Sequence, residues 1–248
     1  MSLQACYKKI LPYVFSIRTP ESSGSGFFLG YNENRTLAAF ATAAHVVGDA
    51  EDWKKPLRFR QHINGKEEFL ADSDRVIWLD RRRDSALVLI AIPQFELPEK
   101  ALPMIEADKY KPIGCEIAWV GYPGIAAPHL CMFRGMVSAF ITADDSYLID
   151  GVAINGVSGG PVFADEGGEM PKLLGTVSAY LPNRSRGDSL PGLMSAQDVT
   201  PFHDMLQTLR SLDEARRRKE ADEEEKSKKQ QEAEQPPPQE PSANGAQA

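Results

Sequence analysis

The chain has 248 residues, 42% hydrophobic and 25% charged, proportions that suit one large globular domain or two small ones. A net charge of -7 and a pI near 5.2 argue against a nucleic-acid partner held by phosphate contacts, and no apolar run is long enough for a membrane span. The cysteines, Cys6, Cys115 and Cys131, have no zinc spacing and suit a reducing compartment better than a disulfide framework.

Residues 1–10 lack the apolar stretch of a secretory signal, so a cytoplasmic location is expected. Residues 13–19, rich in β-branched and aromatic side chains, read as a strand stopped by Pro20. Ser22-Ser23-Gly24-Ser25-Gly26 reads as a turn, with strands at 27–31 and about 36–42 after it. Short strands with frequent turns suggest a β barrel or sandwich. The third strand runs into Thr42-Ala43-Ala44-His45-Val46-Val47. A lone histidine in such apolar surroundings is more often structural than catalytic, although small residues before it let other groups approach the ring. His62, His129 and His203 lack that setting and read as surface or packing residues.

Strands are expected at 57–61 and 75–79, and Arg81-Arg82-Arg83 reads as a solvated loop. Asp84 then stands at the mouth of a continuous apolar run, residues 85–92, of the kind buried on both faces. A carboxylate entering a core needs a partner. A histidine that becomes positive during a reaction would serve; a solvent-facing strand cap fits the local sequence equally well. Asp80 is a competing acid, farther from the apolar run. Residues 97–112, with Pro98, Pro103 and Pro112, read as a connection between two halves.

Further strands are expected at 116–120, 132–141, 147–149, 161–164 and 172–180. Between them lies Gly156-Val157-Ser158-Gly159-Gly160-Pro161. Its glycines permit unusual backbone angles and remove side chains that would crowd the serine. If Ser158 is a nucleophile, its own N–H and that of Gly156 could bind an oxyanion. A plain Gly-Gly-Pro turn is the alternative. Thr200-Pro201 opens a helix, with Phe202, Met205, Leu206 and Leu209 as a stripe to dock on the second half. Residues 213–248 form a charged, low-complexity tail: 213–234 could extend the helix but have no face to bury, and Pro236-Pro237-Pro238 begins a stretch read as disordered. A solvated tail is the default, and partner contacts through it are the alternative.

His45, Asp84 and Ser158 occur in the chain order of the chymotrypsin arrangement. With Thr42-Ala43-Ala44-His45, Asp84-Ser85-Ala86-Leu87 and Gly156-Val157-Ser158-Gly159-Gly160-Pro161, the chain resembles trypsin-like serine peptidases, closest to the bacterial HtrA/DegP-like branch. Gly24-Ser25-Gly26-Phe27, Gly121-Tyr122-Pro123-Gly124 and Gly192-Leu193-Met194-Ser195-Ala196 add to the resemblance, which covers roughly residues 12–208. It implies an all-β fold of two six-stranded antiparallel barrels, about 12–100 and 113–198, within a peptidase domain of residues 1–208 whose helix begins near 200. It implies that His45 is the general base, Asp84 its orienting acid, Ser158 the nucleophile, and the N–H groups of Gly156 and Ser158 the oxyanion hole.

The same resemblance puts Val152 at the base of the primary specificity pocket, Val177, Ser178 and Ala179 on the strand that pairs with substrate, and residues 193–196 in another wall. A valine at the pocket base implies small or medium apolar substrate side chains. The implied partner is a protein or peptide substrate, with no cofactor and no metal. A catalytically silent module of the same fold, used for binding or signalling, is the rival. The sequence departs from the secreted digestive members in two ways. Ala44 and Val46 replace flanking cysteines. Val157 replaces the aspartate that pairs with a new N-terminus, so activity without N-terminal processing is expected. No PDZ domain is expected within these residues.

Overall fold

The structure, a computed structural model, describes residues 2–91, 94–185 and 188–234. The first half contains helix α1 (Leu3–Ile10), strands β1 (Val14–Arg18), β2 (Ser23–Tyr31) and β3 (Leu37–Thr42), helix α2 (Ala44–Asp52), and strands β4 (Leu57–Gln61), β5 (Glu67–Leu70), β6 (Arg75–Asp80) and β7 (Ser85–Ala91). The second half contains β8 (Glu116–Gly121), β9 (Cys131–Ile141), β10 (Ser146–Asp150), β11 (Pro161–Ala164), β12 (Lys172–Ser185) and β13 (Asp188–Asp198), followed by helix α3 (Thr200–Glu234).

The second half is the expected closed barrel of six strands, in the order β10-β13-β12-β11-β8-β9. The first differs in detail from a six-stranded barrel. It is a seven-stranded antiparallel sheet, β5-β4-β1-β2-β3-β7-β6, whose end strands β5 and β6 are not joined by a ladder. Arg75 fills that seam. Its buried guanidinium donates to the carbonyl oxygens of Leu70 at 3.1 Å, Ala50 at 3.0 Å and Lys55 at 2.7 Å. One side chain of β6 thus satisfies backbone carbonyls at the end of β5, in α2 and in the loop that follows it.

Alternation explains the first sheet's core. Phe15 and Ile17 of β1 and Leu57 and Phe59 of β4 are buried. Phe15, Phe40 and Phe59 pack edge-on, with ring centroids 5.0 Å apart for Phe15–Phe40 and 5.2 Å for Phe40–Phe59. Ser23 to Gly26, expected as a turn, belongs instead to β2. Gly24 and Gly26 pair with Ile17 and Phe15 on β1, and a Cβ on Gly26 would collide with the Ile17 side chain.

Strand β7 is buried on both faces because the sheet lies on one side and α3 on the other. Sequence periodicity had directed α3 to the second barrel. It docks instead on the first sheet: Phe202 packs edge-on to Phe27, Asp204 pairs with Arg83 at 2.9 Å, and Asp213 accepts from Asn32 and from the Glu33 N–H. The closed barrel turns its apolar side chains inward, whereas β7 leaves an apolar face to be covered. Arg83, expected in a solvated loop, is drawn in between Asp80 and Asp204, with its side chain only 15% exposed. Past Leu212 the charged stretch remains helical to Glu234, largely exposed through Lys229 and carrying pairs such as Arg216–Glu220 at 2.7 Å. The proline run 236–238 lies outside the described residues.

Candidate active site

The edges of the two sheets meet where β3 ends, where β7 begins and where the 155–160 loop precedes β11. Three hydrogen bonds hold this junction. Ser25 on β2 donates its backbone N–H to the Ser158 carbonyl at 2.8 Å and its hydroxyl to the Gly156 carbonyl at 2.8 Å. The Tyr122 N–H donates back to the Ser25 hydroxyl at 2.9 Å. The loop itself needs glycine. Gly159 sits at φ +80° with Thr42 Oγ1 2.1 Å and the Ser25 carbonyl 2.2 Å from where a Cβ would be, and Gly156 sits at φ +95°. Small residues before the histidine therefore make room for the serine loop's backbone.

His45 lies in the first turn of α2, and Asp84 in the tight turn between β6 and β7, at φ +40°, a left-handed conformation that aspartate adopts more readily than most residues. The turn brings its carboxylate under the helix start: the Ala44 N–H donates to the Asp84 carbonyl, and the His45 N–H to Asp84 Oδ1 at 3.0 Å. His45 Nδ1 lies 3.0 Å from Oδ1 and 2.9 Å from Oδ2. Asp80, the competing acid, is engaged by Arg83 at 2.7 Å. An N–H on Nδ1 facing a carboxylate leaves Nε2 as the bare nitrogen of the neutral ring.

Ser178 on β12 supplies a link that the sequence did not reveal. Expected only on a substrate-pairing strand, it turns its hydroxyl onto Asp84 Oδ2 at 2.5 Å. Its carbonyl accepts the Ser158 hydroxyl at 3.4 Å, and among the described residues Ser158 Oγ makes no hydrogen bond to His45. Burial pushes the Asp84 carboxyl up, but hydrogen bonds from His45 and Ser178, the His45 charge and the His45 backbone N–H outweigh it and hold the group below its ordinary value.

His45, Asp84, Ser158 and Ser178 share a cavity of about 390 Å³, completed by Ala153, Ile154, Asn155, Ala179, Tyr180 and Pro182. Val152 does not line it. It stands 55% exposed, because the chain leaves β10 through Gly151, packed on the Trp119 ring, before turning inward at Ala153. Val177 is likewise outside; it is buried in the barrel and exchanges backbone hydrogen bonds with Gly159 and Gly160. Met194 and Ala196, expected in a pocket wall, are buried in the barrel along β13. Val157 is fully buried, in place of an ion-pairing residue. Among the described residues the N–H groups of Gly156 and Ser158 have no acceptor. No cluster of metal-ligating side chains and no helix long and apolar enough to cross a membrane occurs among the described residues.

Two substitutions test this framework without reference to activity. Ser25→Ala leaves the Gly156 carbonyl and the Tyr122 N–H without their partner, and thermal unfolding should register a loss of about 1–3 kcal/mol. An unchanged melting curve would remove Ser25 as the fastener between the halves. Ser178→Ala removes one donor from Asp84, so the folded-state pKa should rise toward the ordinary carboxylate range. A depressed pKa gives stability that is present above the unfolded value, about 3.9, and is lost as pH falls through the folded value. The variant should therefore begin acid unfolding at a higher pH than the parent, as circular dichroism on acid titration can establish.

A family model described as a trypsin-like peptidase domain matches residues 24–170. No curated protein matches the chain by sequence. Solved structures that match number 752 chains. One is the crystal structure of the serine endoprotease from Yersinia pestis, which aligns with a TM-score of 0.62 over 85% of this chain and 67% of that one, at 17% identity. At that identity the likeness speaks for the fold.

Proposed function

The chain belongs to the trypsin-like peptidase domain family, and from that premise we propose that it is a serine endopeptidase working through His45, Asp84 and Ser158. The observation that carries the reading is the Asp84 carboxylate. It receives the His45 ring, the His45 backbone and the Ser178 hydroxyl together, and Ser158 faces the same cavity.

In this reading the Ser158 hydroxyl swings from the Ser178 carbonyl to His45 Nε2, gives up its proton there and attacks the scissile carbonyl carbon. The free N–H groups of Gly156 and Ser158 receive the oxyanion. Asp84 stabilises the imidazolium, which returns its proton to the departing amine. Water then attacks the acyl-enzyme by the reverse relay. The cavity beside Ser158 is walled by Ala153, Ile154, Ala179 and Pro182, which suits a small or medium apolar side chain before the cut bond. A peptide-library digest cutting mainly after lysine or arginine would overturn that preference.

A fluorophosphonate probe tests the whole reading. Stoichiometric labelling of the wild-type chain at Ser158 is expected, and its absence would favour a silent or latent module. The Ser158 hydroxyl's bond to Ser178 rather than His45 is the observation on that second side.

A further inference from the structure

The chain is acidic as a whole, yet one outward patch beside the serine loop is basic. Arg58 and Arg60 are half-buried between the buried positions of β4, and Arg18 is the exposed last residue of β1. The register sets Arg18 directly opposite Arg58, and Ser16 opposite Arg60. Like charges directly across a ladder destabilise it. Glu67, opposite Arg60 on β5, lies 3.5 Å from Arg58 Nη1 and 3.8 Å from Arg60 Nε. One carboxylate against three guanidinium groups leaves a formal surplus of two positive charges, three minus one. Arg18 forms no ion pair among the described residues.

These groups line a cavity of about 80 Å³ whose other wall is the 122–128 segment. The cavity is continuous with the serine loop. Gly24 lines it, and a Cβ there would lie 3.0 Å from the Ser158 carbonyl. Gly124 also lines it and donates its N–H to the Asn155 carbonyl at 2.7 Å, while Asn155 lines the cavity that holds His45 and Ser158. The two cavities therefore both border the 155–158 loop. The positive field reaches inward: burial first and then the Arg60 charge hold His62, which is hydrogen-bonded to the Tyr122 hydroxyl at 3.1 Å, below its ordinary pKa.

We infer that the arginine-lined cavity receives the leaving-group side of the substrate and selects peptides with Asp or Glu within the first three residues after the cut bond. This rests on the endopeptidase reading above. If the acyl half lies between residues 153–155 and 178–182, the chain beyond the scissile bond leaves on the far side of Ser158, over Gly24. An extended peptide advances about 3.3 Å per residue, so three residues span the approach. A carboxylate there gains charge-assisted hydrogen bonds that an amide does not, and relieves the Arg18–Arg58 repulsion.

The test uses the full chain and quenched fluorescent peptides with amidated C-termini, carrying Glu or Gln at each of the three positions in turn. At one position Glu should raise kcat/KM about five- to twentyfold over Gln, and the ratio should shrink in high salt. Arg18→Gln should reduce the ratio, and Arg18→Glu, which sets two carboxylates against the two remaining guanidinium groups, should bring it to about one. Hydrolysis of a small nitrophenyl ester, which has no peptide leaving group, should be unchanged in both variants and so reports that they are folded. A Glu/Gln ratio of one at all three positions, in a chain that labels with the probe and cuts peptides, overturns the inference alone. No labelling and no cleavage overturns the endopeptidase reading and the subsite with it. A preference seen only when the peptide carries a free C-terminal carboxylate assigns the cavity to chain ends and also overturns the inference.

Discussion

Ser158→Ala is expected to lower kcat by about a million-fold on any peptide that the parent cleaves. In the proposed mechanism the hydroxyl is the atom that bonds to substrate, so its loss would remove the acyl-enzyme path rather than weaken it. The residual rate should come from binding and from the N–H groups of Gly156 and Ser158, which the substitution leaves in place. The fold should be unaffected, because the one hydrogen bond lost is the long contact of 3.4 Å to the Ser178 carbonyl. Pre-steady-state kinetics should show a burst of leaving group from the parent on an ester and none from the variant. A variant retaining a tenth of the parental rate would mean that the hydrolysis arises elsewhere or from a contaminant.

The second large effect is expected at Asp84. Asp84→Asn should cost roughly ten-thousand-fold in kcat near neutral pH. Asparagine fits the space and tolerates φ +40°, so the turn survives. Its amide carbonyl can still accept the His45 backbone N–H, but its NH2 group would then face Nδ1 as a donor. That forces the ring proton onto Nε2, the position that the proposed mechanism needs bare to take the hydroxyl proton. The Ser178 hydroxyl would lose its charged acceptor at the same time. Steady-state kinetics on the purified variant, with a circular dichroism spectrum matching the parent, measures this. A loss of less than tenfold would assign Asp84 to holding α2 in place through its bonds to Ala44 and His45.

The residue types gathered at the candidate site were legible because their surroundings are chemically unusual: a serine among glycines, a histidine after small residues, an acid at the mouth of an apolar strand. Strands β4 and β11 fall at the expected boundaries, since each is a short apolar or alternating run bounded by turn residues. Other features were not legible because they depend on what lies across space. Ser178 reads as one more polar position on a strand until β12 is placed against the Asp84 turn. Ser25 reads as part of a glycine-serine turn until the second half lies over it. Val152 was assigned by its distance in sequence from Ser158, but the path of the chain over Trp119 decides which side chains reach the cavity. The docking face of α3 depended on β7 offering an uncovered apolar surface, which no periodicity within the helix can report.

The imidazole and its acid ride on one sheet, and the hydroxyl rides on the other, with Ser25 as a rivet through the joint. Reactivity in such a machine is a matter of alignment between two plates, so loosening the rivet would misalign it without altering any reacting group. In the endopeptidase proposed above, a peptide laid across both plates would act as a temporary brace, and the substrate would thereby help to assemble the tool that cuts it.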